Sequence, residues 1–217
     1  NNEWWGPGFT EWTSVARAKP LFRGHKQPHI PADLGFYDLR VPETREAQAQ
    51  LAKEAGVEGF CYWHYWFGNG KRLLERPFTE VVSSGKPDFP FCLAWANHSW
   101  YKKQWDLKAK GKDILLIEQK YPGVKDYEDH FYALLEAFKD KRYIKVNGKL
   151  FFGIYSALTF EDIRTFISTW RRLAKDNGLN DFYFVAQDAE SRDKEKILAL
   201  GIDAVYNNNF TTHHNLP

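Results

Sequence analysis

Short apolar runs alternate with helical segments along most of this 217-residue chain, and that alternation limits the fold more than any other feature. The runs are 57–66, Phe89 to Ala96, Ile114–Glu118, Leu150–Tyr155, 182–187 and 203–207. A helix is predicted to start after Pro42, with Ala47, Leu51 and Ala55 on one stripe and Gly56 as its stop. Further helices are expected over 77–84, over 126–139 with Tyr127, Phe131, Leu134, Leu135 and Phe138 inward, and over 190–200. A helix capped by Thr159, with Asp162 at the capping-box offset, buries Ile163, Phe166, Ile167, Trp170 and Ala174 and ends at Gly178.

Strand–helix alternation implies a mainly parallel sheet covered by helices. It closes either as an open doubly wound sheet or as a (β/α)8 barrel. No Gly-x-Gly-x-x-Gly follows any strand, so the nucleotide fingerprint of the open sheet is missing. Polar and aromatic residues instead gather after several strands: His64 to Trp66, Asn97 to Trp100, Tyr155-Ser156, Gln187-Asp188 and Asn207 to Asn209. A barrel active site is built from successive strand ends in this way. The expectation is therefore an α/β chain of the (β/α)8 TIM type, read as one domain over 1–217. The barrel is incomplete here: six strands are counted, a barrel takes roughly 250 residues, and at least one more strand is expected before Asn1 or after Pro217.

Residues 1–42 carry Pro7, Pro20, Pro28, Pro31 and Pro42, which exclude long helices and central strands. Trp4, Trp5, Phe9, Trp12, Phe36 and Tyr37 give the segment enough to bury to be an ordered loop, a common carrier of binding groups.

Gly59-Phe-Cys-Tyr-Trp-His-Tyr-Trp-Phe-Gly68 holds the chemistry. In a strand, Phe60, Tyr62, His64 and Trp66 share one face and Cys61, Trp63, Tyr65 and Phe67 the other. Leu, Ile or Val would fill a core without polar tips, whereas Trp and Tyr bring an N–H or O–H that wants a partner. A sugar, with a C–H face for stacking and hydroxyls for donors and acceptors, suits such a wall; a buried aromatic strand suits it equally. Trp95-Ala-Asn-His-Ser-Trp100 offers Asn97 for hydroxyls, Trp95 and Trp100 for stacking, and His98 as a general acid or base titrating near neutrality. Glu118 ends an apolar strand, where partial desolvation raises a carboxyl pKa and suits a proton donor. Glycosidases place two carboxyl groups across the scissile bond. Glu11, Glu118 and Asp188 are the candidates, with no pairing among them assigned.

Other classes are weakly signalled. Thirty Lys plus Arg against 28 Asp plus Glu leave a net charge of +2, no general basic field for nucleic acid. No run approaches the ~18 apolar residues of a membrane span, and no signal peptide opens the chain, so a cytoplasmic location is expected. Cys61 and Cys92 read as buried free thiols. His25 and His29 flank Pro28, and His213-His214 stand near the end; both pairs read as loop residues, and neither a metal nor a cofactor is expected. The oligomeric state is left open.

Several stretches resemble the WbsX family: Asn2-Glu-Trp-Trp-Gly-Pro-Gly-Phe-Thr-Glu-Trp12, Ala18-Lys-Pro-Leu-Phe-Arg-Gly-His25, the loop Gln27 to Leu39, Gly59 to Phe67, Gly70 to Pro77, Asp88 to Asn97, Leu116-Ile-Glu-Gln119 and Arg142 to Lys149. The family is usually described as glycosyltransferases of surface-polysaccharide (O-antigen) synthesis, and is similar to the endo-α-mannosidases and α-mannanases of glycoside hydrolase family 99, which are (β/α)8 barrels. The resemblance implies an oligosaccharide or polysaccharide partner and glycosidic-bond chemistry, with hydrolase-like chemistry favoured by the missing phosphate loop. A glycan-binding module that turns nothing over is the alternative. The expected groove is Trp4, Trp5, Glu11, Trp12, His64, Tyr65, Trp95, Asn97, Trp100 and Tyr155, with Glu118 and His98 in titrating roles. Two departures stand out. His98 occupies a position where the family commonly carries Glu, and the family's late Asn-Glu-Trp-x-Glu motif, which resembles the hydrolases' catalytic pair, does not occur before Pro217.

Overall fold

The computed structural model describes residues 2–102, 113–188 and 192–207. In chain order the elements are α1 (Asn2–Trp5), α2 (Glu11–Arg17), α3 (Pro42–Glu54), β1 (Phe60–His64), α4 (Arg76–Ser84), β2 (Phe91–Trp95), β3 (Trp100–Lys102), β4 (Ile114–Ile117), α5 (Val124–Lys139), β5 (Lys145–Val146), β6 (Lys149–Ile154), α6 (Ile163–Asp176), β7 (Phe182–Gln187), α7 (Lys194–Leu198) and β8 (Ala204–Tyr206).

Strands β1, β2, β6, β7 and β8 are parallel and lie side by side in chain order, with β5 antiparallel on β6. The order never reverses, so the crevice of a doubly wound sheet does not form. Register explains what the two faces do. Tyr62, Leu93, Phe152 and Phe184 form one row across the sheet, and His64, Trp95, Ile154 and Ala186 the next. Every helix that packs on the sheet meets this face. Phe78 of α4 lies against Tyr62 and Phe91, Phe131 and Phe138 of α5 against Phe182, and Phe166 and Trp170 of α6 against Phe184 and Phe152. Ile197 of α7 joins the same core. The connections between successive parallel strands thus bring α4, α5, α6 and α7 to one side of the sheet.

The opposite face carries smaller residues. Trp63, Ala94, Gly153, Val185 and Ala204 form one row, and Cys61 and Cys92 stand side by side in the row before it. At Gly153 a Cβ would come within 2.8 Å of the Ala94 Cβ, so β2 and β6 tolerate no larger residue there.

Ile114–Ile117 is a strand but not one of the sheet. It pairs antiparallel with β3 in a separate two-stranded ribbon, so the main sheet has five parallel strands where six were expected. β3 follows β2 after only a few residues, too few for a parallel crossover, and β4 pairs with β3 rather than with the sheet. The described strands run from β1 to β8 as an open path. In α3 the buried positions are Arg45 and Ala49, not the predicted Ala47–Leu51–Ala55 stripe, and Leu51 is exposed. Arg45 is drawn in by Glu80 of α4 at 2.9 Å and by the Leu39 carbonyl at 2.7 Å. The N-cap of α6 is Asp162, and Thr159 bonds Ser156 instead. Among the described residues, no helix is long and apolar enough to cross a membrane.

Candidate functional site

The two faces sort the expected site residues. His64 is 5% exposed and faces the helices, where its Nε2 meets His130 Nε2 at 2.8 Å. Burial pushes its imidazole down to about 3 and pushes His130 in the same direction, so both rings are neutral at ordinary pH and one donates to the other. His130 Nδ1 has no partner. A bare ring nitrogen costs less than an unpaired buried N–H, which points to His130 as the donor. His64 is therefore a core residue, contrary to the binding role expected of it.

Trp95 is corrected in the same way. Its indole lies among Tyr121, His130, Phe160 and Phe166, and its Nε1–H donates to the Trp66 carbonyl at 3.0 Å. Trp66 in turn donates to Asp126 Oδ2 at 2.9 Å, and the Asn69 N–H to Asp126 Oδ1 at 2.6 Å. Asp126 sits in the first turn of α5, where the helix dipole favours a carboxylate. The indole N–H groups thus find protein partners, leaving none for a ligand.

Asn97 is buried and fully engaged. Its Nδ2 donates to the Ser156 carbonyl at 2.9 Å and to the Tyr121 hydroxyl at 3.0 Å, and its Oδ1 accepts the Ser156 N–H at 2.8 Å. Tyr121 returns a bond to the Asn97 carbonyl at 3.0 Å, and burial pushes its phenol up to about 12. Asn97 is a clamp between the loops after β2 and β6, not a free donor for hydroxyls.

Glu118 lies on the surface beside Lys120, 3.3 Å away, with its side chain 57% exposed. The desolvation that was to make it a proton donor is absent. The residue follows a strand of the small ribbon rather than one of the main sheet. Asp188 is buried, and its Oδ2 accepts the Asp193 N–H at 3.1 Å.

On the other face the rings are open. Trp63 is 49% exposed, Tyr155 38% and Tyr206 37%. Trp63 meets Tyr155 edge to face with centroids 5.8 Å apart, and the exposed His98 ring lies 5.1 Å from Tyr155. His98 Nδ1 is 3.1 Å from the Ser99 carbonyl, an acceptor, so Nδ1 carries the proton and Nε2 is left as the acceptor of the neutral ring. Ala94 of β2 lies between Trp63 of β1 and Gly153 of β6, two residues before Tyr155. The two rings touch edge to face beside these small, buried residues, and this low row next to the rings is the trough on the side away from the helices.

The N-terminal groups form a second aromatic cluster over the end of β1. Trp4 packs on Trp100 at 6.1 Å, and Trp100 on Tyr65 and Phe67 at 5.1 and 5.5 Å. Burial raises the Tyr65 phenol, and the nearby Glu11 carboxylate raises it further. Trp5 stacks on Phe9. Trp12 lies apart, donating to the Tyr37 carbonyl at 2.9 Å. Of the expected groove, then, His98 and Tyr155 meet in the trough. Trp4, Tyr65, Glu11 and Trp100 meet beside the end of β1, and His64, Trp95 and Asn97 belong to the interior. Trp63 and Tyr206 were missed.

A cavity of about 570 Å³ lies between α4 and α5, with His64 in its wall, on the side of the sheet away from the trough. Among the described residues no group of three or more His, Cys, Asp or Glu converges in a way that would hold a metal. Asn208, Asn209 and the His213-His214 pair lie outside the described residues.

The chain is similar to known proteins at three levels. The family model described as Glycosyltransferase WbsX matches residues 1–216. Two relatives bearing the name Uncharacterized protein WxcX, from two strains of Xanthomonas campestris pv. campestris, are each 40% identical over 207 residues, which is 94% of this chain and 28% of theirs. The chain thus spans little more than a quarter of the length of these relatives. A solved structure named Glycoside hydrolase-like protein matches with a TM-score of 0.57 at 14% identity, over 81% of this chain and 52% of that one. An endo-α-mannosidase of glycoside hydrolase family 99 from Bacteroides thetaiotaomicron matches with a TM-score of 0.48 at 15% identity, over 81% of this chain and 49% of that one. The first of these structures bears out the mainly parallel α/β architecture. By a match that runs almost from end to end, the chain belongs to the WbsX glycosyltransferase family.

Proposed function

We propose that this chain is one wall of a (β/α)8 barrel whose inner side binds a glycan, within an enzyme that makes or cleaves glycosidic bonds in a bacterial surface polysaccharide. One observation carries the reading. The face of the sheet that no helix covers presents exposed Trp63 and Tyr155 across a floor of Ala94 and Gly153, with His98 alongside. A sugar ring needs a flat apolar wall, room beside it, and acceptors for its hydroxyls. The exposed faces of Trp63 and Tyr155 supply the wall and His98 an acceptor at the C-terminal strand ends, where barrel enzymes work.

The described residues contribute recognition and leave the bond-breaking groups unassigned. Glu118 is paired with Lys120 on the surface and Asp188 is buried and accepts a backbone N–H, so no carboxyl pair is assigned from them. This pattern also favours the second reading, a glycan-holding module without turnover. The missing phosphate loop favours hydrolase-like over nucleotide-sugar chemistry.

Isothermal titration of the protein with α-mannans and bacterial surface glycans tests the site, with product analysis by mass spectrometry on the same panel. Loss of one ring, in Trp63→Ala or Tyr155→Ala, is expected to weaken binding by about fivefold, in line with about 1 kcal/mol per aromatic contact. Equal affinity in wild type and both variants would remove the trough from consideration. Binding without released or extended product would select the holding module.

A further inference from the structure

The cavity between α4 and α5 has no part in the glycan reading and shares no residue with the trough. Its walls come from consecutive pieces of this chain: His64 from β1, Arg72 from the loop after it, Phe78 and Val82 from α4, and Leu134 and Ala137 from α5. It lies on the helix-bearing face, so strands added at the sheet edges to close a barrel leave it in place. Its volume of about 570 Å³ is that of a small-molecule site.

Two polar groups in this wall lack a protein partner. His64 is 5% exposed, and its Nε2 accepts the His130 Nε2–H, so the neutral ring carries its own proton on Nδ1. Among the described residues nothing accepts a bond from that Nδ1–H. His130 takes no part in the wall, so the free side of the His64 ring is the one that fronts the cavity. A buried N–H without an acceptor is costly, and one that borders a cavity can be satisfied from within it. Arg72 is held beside the end of β1 by its backbone bridge to Trp66, and no described carboxylate pairs with its guanidinium. The local field is positive. After burial, the charge that acts on His64 is that of Arg72, whereas the lining acids Glu75, Glu136 and Asp140 do not bear on it. Asp140 is already taken by Arg142 at 2.5 Å.

We propose that this cavity binds a small carboxylate with an apolar chain. The chain lies against Phe78, Val82, Leu134 and Ala137, and the carboxylate accepts the His64 Nδ1–H beside the Arg72 guanidinium. A lone N–H next to a fixed cation selects an acceptor that carries negative charge. The apolar side chains of the two helices supply the affinity for the rest of the molecule.

Isothermal titration with octanoate, its shorter homologues and octylamine tests this without any glycan. Saturable binding of octanoate is expected, and each methylene removed from the chain should weaken it about fourfold. Octylamine, with the same chain and a cationic head, is expected not to bind. In protein labelled with 15N-histidine, octanoate is expected to move the His64 Nδ1–H signal. These arms need no variant. Arg72→Gln, at an exposed position, should weaken octanoate about threefold, the size of an ion pair open to water. Val82→Trp, which fills the cavity from a half-buried helix position, should abolish binding. No saturable binding to wild type, equal affinity for octanoate and octylamine, an unmoved His64 signal, or wild-type affinity in Val82→Trp overturns the proposal.

Discussion

His64 and His130 meet nitrogen to nitrogen between β1 and α5, stacked with Trp66, with no counter-charge at hand. The pH dependence of folding follows from that contact. Both rings titrate lower in the folded protein than the ordinary 6.5, His64 near 3, while in the unfolded chain they protonate at their ordinary value. The unfolded state binds more protons below 6.5, so their contribution to stability is present above that pH and is lost as pH falls toward 3. The cost is about 1.4 kcal/mol per proton per pH unit. Denaturant midpoints measured between about pH 7 and 5 should fall on acidification, and a His64→Phe/His130→Phe double variant should show a flatter profile. A slope unchanged by the double variant would place the acid sensitivity elsewhere. The sequence displayed His64 among rings but could not say which parity of the strand faced the helices. A reading across strands would have helped. Leu93, Phe152 and Phe184 hold one parity with large apolar groups, while Ala94 and Gly153 hold the other with small ones. Small residues recurring at one parity mark the open side and would have picked out Trp63.

Between elements, the Asn97 clamp fixes the loop after β2 to the loop after β6, and so sets His98 against Tyr155. Asn97→Ala removes three side-chain hydrogen bonds and leaves the Ser156 N–H without its acceptor, while the Ser156 carbonyl keeps only the Thr159 hydroxyl. A loss of about 3 kcal/mol is expected by thermal denaturation, together with weaker glycan binding than the stability loss alone accounts for. Asn97→Asp keeps the acceptor for Ser156 N–H and should lose less. At Gly153 the constraint is steric. Gly153→Ala pushes a Cβ into Ala94 and should cost about 1–3 kcal/mol, because β2 and β6 have no room to part in the middle of the sheet. Element type was largely legible: helices 76–84, 124–139 and 163–176 and strands 149–154 and 182–187 lie close to where periodicity put them. What failed were choices set by partners. Ile114–Ile117 looks like any apolar strand until its partner is known, and Arg45 turned inward because Glu80 was there to meet it.

At the scale of the molecule, the apolar mass lies on one side of the sheet. Phe131, Phe152, Phe166, Trp170, Phe182 and Phe184 are essentially without solvent contact, and Arg142 closes the far end through Asp140 and the carbonyls of Val81 and Pro87. The segment 1–42, by contrast, has no buried side chain among its described residues. Native-state hydrogen exchange should therefore show the slowest amides in β2, β6 and β7 and the fastest in 1–42. Comparable protection in both regions would contradict this division. The mainly parallel architecture could be read from strand–helix alternation alone, but closure could not, because it depends on how many strands share one sheet.

Segregating the two faces has an evolutionary corollary. Cohesion resides in the rows that meet α4, α5, α6 and α7, whereas Trp63, Tyr155 and Tyr206 project from the reverse of the same strands. Exchanging those outward rings leaves the interlocked interior untouched. Descendants of such a scaffold are free to change what that outward surface meets without first having to relearn how to fold.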